Sequence, residues 1–130
     1  MSEDKKLPPS PEIWPDAKPY WEAAAEGRLL VKTCRACAEK YFYPRPLCPF
    51  CMSDETEWLE CSGRGSVYTY TVGSRAPFFP ITAMIALEEG PVMMSAVIEA
   101  DPASVAIGAS VQVTFVPTAD GQPIPVFRLA

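Results

Sequence analysis

Two Cys-x-x-Cys units, Cys34-Arg35-Ala36-Cys37 and Cys48-Pro49-Phe50-Cys51, stand ten residues apart. Such a unit folds into a tight knuckle presenting two sulfurs, and a hairpin between two knuckles brings four thiolates onto one tetrahedral ion. A four-cysteine site is coordinatively closed, so the expected role is a structural Zn2+ held by Cys34, Cys37, Cys48 and Cys51. Iron in the same thiolates, as in a rubredoxin-like electron carrier, is the alternative. Ala38 and Met52 occupy the positions where a glycine often follows such knuckles. The fifth cysteine, Cys61, precedes Ser62-Gly63-Arg64-Gly65 and is expected to be a small, partly buried residue at a strand end. The sequence contains no histidine. That removes Ser-His-Asp and Cys-His catalysis, HExxH metalloproteases and Cys2His2 fingers together.

The remaining polar residues suggest no acid–base set. Glu57, Glu60, Glu88 and Glu89 lack the paired spacing that such chemistry needs and read as solvated charge. Arg28, Lys32, Arg35, Lys40 and Arg45 against Glu39 give residues 28–45 a balance of +4, leaving −9 on the rest. With Tyr41, Phe42 and Tyr43 interleaved, this segment suits single-stranded nucleic acid, a phosphorylated small molecule or an acidic partner. The competing reading is solvated cations with the aromatics packed on the neighbouring domain. A net charge of −5 repels polyphosphate, so nucleic acid is not the expected ligand. A proline-framed loop, Gly73 to Ile81, carries Arg75, Phe78 and Phe79, rings that would either fold back as a lid or meet a partner. Met84, Met93 and Met94 read as core filler.

Positioning these residues takes little chain. At 130 residues and 48% hydrophobic, one small domain, or two sharing a core, fits. Residues 1–15 form an extended Pro-rich arm, and 16–27 hold a short helix, Tyr20 to Glu26, with Trp21, Ala24 and Ala25 as its apolar face. Residues 28–61 make the ribbon, with strands at Leu29–Thr33 and Lys40–Tyr43. Residues 62–130 alternate as five strands: Ser66–Val72, Thr82–Leu87, Val92–Ile98, Ser110–Phe115 and Ile124–Leu129. A small closed OB-like barrel is the economical way to hide their edges. Met1–Lys6 has no apolar run behind it and no stretch reaches membrane-spanning length, so a reducing cytoplasm is expected, with no membrane partner.

The order of features is also familiar: Glu26-Gly27-Arg28-Leu29, Cys34-x-x-Cys37, Tyr43-Pro44-Arg45-Pro46, Cys48-Pro49-x-Cys51, Trp58, Ser62-Gly63-Arg64-Gly65 and Glu88-Glu89-Gly90. Over residues 16–129 the chain resembles the acyl-CoA-associated zinc-ribbon and OB-fold family, long labelled a domain of unknown function. The resemblance implies a mainly β fold with metal on the four cysteines and no catalytic residue of its own. It further implies a small partner of a thiolase-like or hydratase subunit, with acyl-CoA at or near the interface. Bulky CoA thioesters, such as steroid side chains or aromatic acids, are the implied substrates. Arg75, Phe78 and Phe79 are the expected interface residues, and a single-stranded nucleic-acid module or an iron carrier remains the rival class.

Overall fold

The computed structural model describes residues 7–130. The expected arm is therefore seen only from Leu7 onward, and residues 1–6, with the leader-segment reading placed there, lie outside the described residues. The arm is pinned at two points to a turn late in the chain. The Ala119 N–H donates to the Pro8 carbonyl at 2.9 Å and the Asp120 N–H to the Ser10 hydroxyl at 2.9 Å.

Helix α1 spans Lys18–Ala25, entered through a 3-10 turn at Pro15–Ala17. Pro19 sits in its first turn, where a missing N–H costs nothing. The exit is a Schellman pattern, with Arg28 N–H donating to the Ala23 carbonyl and Gly27 N–H to that of Ala24. Its buried residues are Tyr20, Trp21, Ala23 and Ala24, whereas Ala25 is exposed. The expected face is thus rotated: Ala17, Tyr20, Trp21 and Ala24 follow the helical repeat, and Tyr20 is its largest addition.

Strands β1 (Leu30–Cys34), β2 (Lys40–Tyr41) and β3 (Thr56–Glu60) form an antiparallel sheet in the order β2-β1-β3. The second ribbon strand is two residues long rather than four. Phe42 and Tyr43 leave it to pack on Tyr20 of α1, with ring centroids 5.7 and 5.6 Å away.

The second sheet has β4 (Arg64–Val72), β5 (Ile81–Leu87), β6 (Val92–Ala96), β7 (Ser110–Val116) and β8 (Ile124–Leu129), in the order β6-β5-β4-β7-β8. It curls until its two edges meet. A parallel bridge joins Val97 to Phe127, and the Ile98 N–H donates to the Phe127 carbonyl at 2.8 Å. This is OB-fold topology, in which closure removes sheet edges. A register shift between Val67 and Thr69 bends β4, with Tyr68 turned outward. β5 alternates strictly, placing Ile81, Ala83, Ile85 and Leu87 inward. β6 ends at Ala96, before the expected Ile98, because the chain there leaves β5 to make the closing bridge.

One core joins α1, Leu29 to Val31 and the barrel interior around Ile85 and Phe127. A second, much smaller core holds Cys34, Tyr41 and Cys48, with Cys37 against it.

Candidate metal centre

Each pair of cysteines is presented by the same backbone device. In the first knuckle, the Cys34 N–H donates to the Glu39 carbonyl at 2.8 Å and the Ala38 N–H to the Cys34 carbonyl at 2.8 Å. In the second, the Cys48 N–H donates to Ser53 and the Met52 N–H to Cys48, both at 2.9 Å. Ala38 (φ 67°) and Met52 (φ 66°) take the left-handed conformation usually left to glycine, so their side chains do not prevent the turn.

The four sulfurs lie within 4.8 Å of one another, with Cys34 Sγ 3.6 Å from Cys51 Sγ and Cys37 Sγ 3.7 Å from Cys48 Sγ. A tetrahedral ion with metal–sulfur bonds of about 2.3 Å sets sulfurs about 3.8 Å apart, so the donor set fits such an ion. The backbone N–H of Cys37 pulls the Cys34 thiol down to about 7. Cys37 goes the other way, to about 12, because burial and the other three sulfurs outweigh the N–H of Glu39. Four adjacent thiols cannot all ionise unaided, and a bound cation would relieve that repulsion. Tyr41 packs against the sulfurs and its hydroxyl donates to the Arg45 carbonyl at 2.8 Å, fixing the chain between the knuckles.

Three of the five cations of the basic segment are engaged within the fold. Arg28 pairs with Glu26 at 2.7 Å and Glu60 at 3.1 Å, and Arg35 reaches Glu57 at 4.0 Å. Lys32 is buried, its ammonium 4.6 Å from the centre of the Trp58 ring and bonded to Thr56, and burial lowers its pKa. Carboxylates of β3 thus meet the two arginines that flank β1, while Lys32 within β1 is held by Thr56 and the Trp58 ring. The interleaved aromatics are packed too: Tyr20 meets Trp21, Phe42 and Tyr43, and Trp21 Nε1 donates to the Tyr43 hydroxyl at 3.0 Å. Neither cations nor rings are arrayed as a stacking platform.

The carboxylates are likewise engaged rather than merely solvated. Glu88 pairs with Arg64 at 2.9 Å, which lowers its pKa. Glu89 Oε2 accepts the Ser62 N–H at 2.8 Å, while its Oε1 is buried with no partner among the described residues. Cys61 is buried beside it, as its position at the strand end suggested.

Of the three expected interface residues, Arg75 is exposed and Phe78 half-buried on the loop after β4. Phe79 forms one wall of an apolar groove of about 340 Å³, with Trp21, Phe42, Met94 and Pro125 among the other walls. The methionines divide: Met93 is buried, but Met94 is 68% exposed and is not core. Sequence reasoning also passed over Phe50, 62% exposed at the tip of the second knuckle.

Residues 21–57 match the profile of the ChsH2 rubredoxin-like zinc ribbon domain, and residues 58–116 that of the ChsH2 C-terminal OB-fold domain. A DUF35 domain-containing scaffold protein of Methanocaldococcus jannaschii is 35% identical over 105 residues, 73% of each chain. A probable enoyl-CoA hydratase alpha subunit of Thermomonospora curvata is 32% identical over 131 residues, covering 97% of this chain but 41% of that protein. This chain thus spans about two fifths of that relative's length. Among solved structures, a chain of the Ltp2-ChsH2(DUF35) aldolase superposes with a TM-score of 0.81 at 30% identity, over 92% of this chain and 98% of that one. Two abutting profiles, meeting within β3, and relatives of 30% identity or more lead to one conclusion: the chain belongs to the ChsH2/DUF35 family of rubredoxin-like ribbons joined to an OB fold.

Proposed function

We propose that this chain is a non-catalytic subunit that docks on a thiolase-like or hydratase enzyme and helps form its acyl-CoA site. The observation that carries the reading is the superposition, at a TM-score of 0.81, on nearly the whole of a chain in an aldolase assembly. The scaffold naming of one relative and the hydratase-subunit naming of another point the same way. Zinc is the ion proposed for Cys34, Cys37, Cys48 and Cys51, in a structural role consistent with its closed donor set. Arg75, Phe78 and Phe79 are proposed to contact the partner at the acyl-CoA channel, a role suited to the groove that Phe79 walls. Bulky CoA thioesters are the proposed substrates, in a cytoplasmic complex; among the described residues, no helix is long and apolar enough to cross a membrane.

The test is purification of the tagged chain from its own cells, followed by native mass measurement and assay of the recovered species on acyl-CoA thioesters. A stoichiometric thiolase-like or hydratase subunit, whose activity falls when this chain is stripped away, is the expected result. A solitary chain, or one carrying single-stranded nucleic acid, would overturn the reading.

A further inference from the structure

Three shallow concavities on one side of the molecule run into one another. The groove walled by Phe79 shares Phe42 with a second of about 250 Å³, between the ribbon and the start of β6. That second groove shares Arg45 and Pro49 with a third of about 290 Å³, beneath the second knuckle. Strand β6 carries the middle of this band, because its alternation turns Val92 and Met94 outward while Met93 goes in. Phe50, Met52 and Met94 are each more than 60% exposed, so the band leaves large apolar and aromatic side chains in water.

Charge along the band is one-sided. The chain has sixteen Asp and Glu residues, yet among the described residues no carboxylate lines any of the three concavities. The charged side chains that do line it are Lys40 and Arg45, and neither forms an ion pair among the described residues. Arg75 lies exposed on the loop that supplies Phe79 and likewise forms no ion pair among the described residues. The other ribbon cations are engaged, Arg28 and Arg35 by carboxylates and Lys32 by Thr56 and Trp58.

We infer that this band, from Phe79 across Val92 and Met94 to Phe50 and Met52, is a single docking face for the catalytic subunit, met by an apolar surface bordered with carboxylates. The inference rests on the proposed accessory role. Aromatic and Met side chains are enriched in the centre of such interfaces, and the unpaired Lys40 and Arg45 within the band steer an acidic partner to this face of a net acidic chain. A second copy of the chain is the poorer occupant, because a two-fold contact through the band sets its cations against their own mates.

The test uses the wild-type complex and the catalytic subunit recovered from it. Phe50→Ser combined with Met94→Ser should weaken the affinity for that subunit about 30-fold, the scale of losing a binding hot spot. Tyr68→Ser combined with Ile107→Ser, at exposed apolar positions off the band, should change it less than about 3-fold. In the unmutated complex, amides of β6 should gain protection from hydrogen exchange, a readout independent of any variant's folding. Equal affinity of the Phe50/Met94 variant together with unprotected β6 overturns the face and leaves the accessory role standing. Recovery of no acyl-CoA-processing subunit by the wild-type chain overturns both, and a band protected instead by self-association overturns the choice of occupant.

Discussion

A thiol reacts through its ionised form, and at Cys61 burial and the adjacent Glu89 carboxylate both oppose ionisation, pushing its pKa up to about 12. A folded-state value above the ordinary one near 9 means that the fold holds this proton more tightly than the unfolded chain does. Stability from this group is complete below pH 9 and is lost as pH rises from 9 toward 12. Accordingly, in the metal-loaded protein Cys61 should resist iodoacetamide at pH 8, while all five cysteines react once the chain is denatured with chelator present; peptide mass mapping distinguishes the two. Rapid alkylation of Cys61 in the native state would contradict the buried pairing. At this scale the convergence of the four sulfurs was legible because their spacing is a local property of two short turns. Glu89 was not, since the Ser62 N–H that engages it lies 27 residues away and no local pattern records that distance. The pairing of Arg28 and Arg35 was not legible for the same reason, because Glu60 and Glu57 sit on β3, across the sheet.

Strands must approach closely where the ribbon hands over to the barrel, and Ser62-Gly63-Arg64-Gly65 makes that approach possible. Gly63 has a φ of 84°, and its carbonyl accepts the Val113 N–H; a Cβ there would stand 2.4 Å from Val113 Cγ1. At Gly65 a Cβ would stand 2.6 Å from the Ala86 carbonyl oxygen on the paired strand β5, a backbone atom that cannot move aside alone. Gly65→Ala should therefore cost about 2–3 kcal/mol, as other overpacking changes do. Gly27→Ala, with nothing within 4 Å, should cost only about 1 kcal/mol for its left-handed backbone. Urea midpoints of the two variants check the ranking, and equal midpoints would contradict the packing account. β5, with one wet face, was legible because it alternates cleanly, and β8, though buried at three successive residues, runs over the expected residues. The helix face and the early end of β2 were less legible. Both depend on Tyr20, Phe42 and Tyr43 meeting across some twenty residues of chain, a tertiary contact that overrides local propensity.

At the scale of the whole molecule, two cores of unequal size share strand β1. Leu30 and Val31 belong to the large core with α1 and the barrel, whereas Cys34 at the strand's end belongs to the small one around the sulfurs. Because that small core is built largely of the metal ligands themselves, removing the ion removes its cohesion. Chelation should release residues 35–55 while the barrel stays folded, so that hydrogen exchange accelerates at Ala38 and Met52 but not at Ile85 or Phe127. Uniform acceleration would show instead that the metal holds the entire chain. The two-part organisation was legible because composition changes at Gly63, from paired cysteines to alternating strands. The band joining the parts was not, since it exists only once β6 is laid beside the knuckle.

The parallel bridge between Val97 and Phe127 also fixes an order of events for a chain emerging from the ribosome. All four proposed metal ligands appear within residues 34–51, whereas Phe127 follows Cys51 by 76 residues. At about 5–20 residues per second that interval is roughly 4–15 s. The ribbon can therefore take up its ion while the barrel still lacks its closing strand, and the inner faces of β5 and β6 must wait uncovered until translation delivers it.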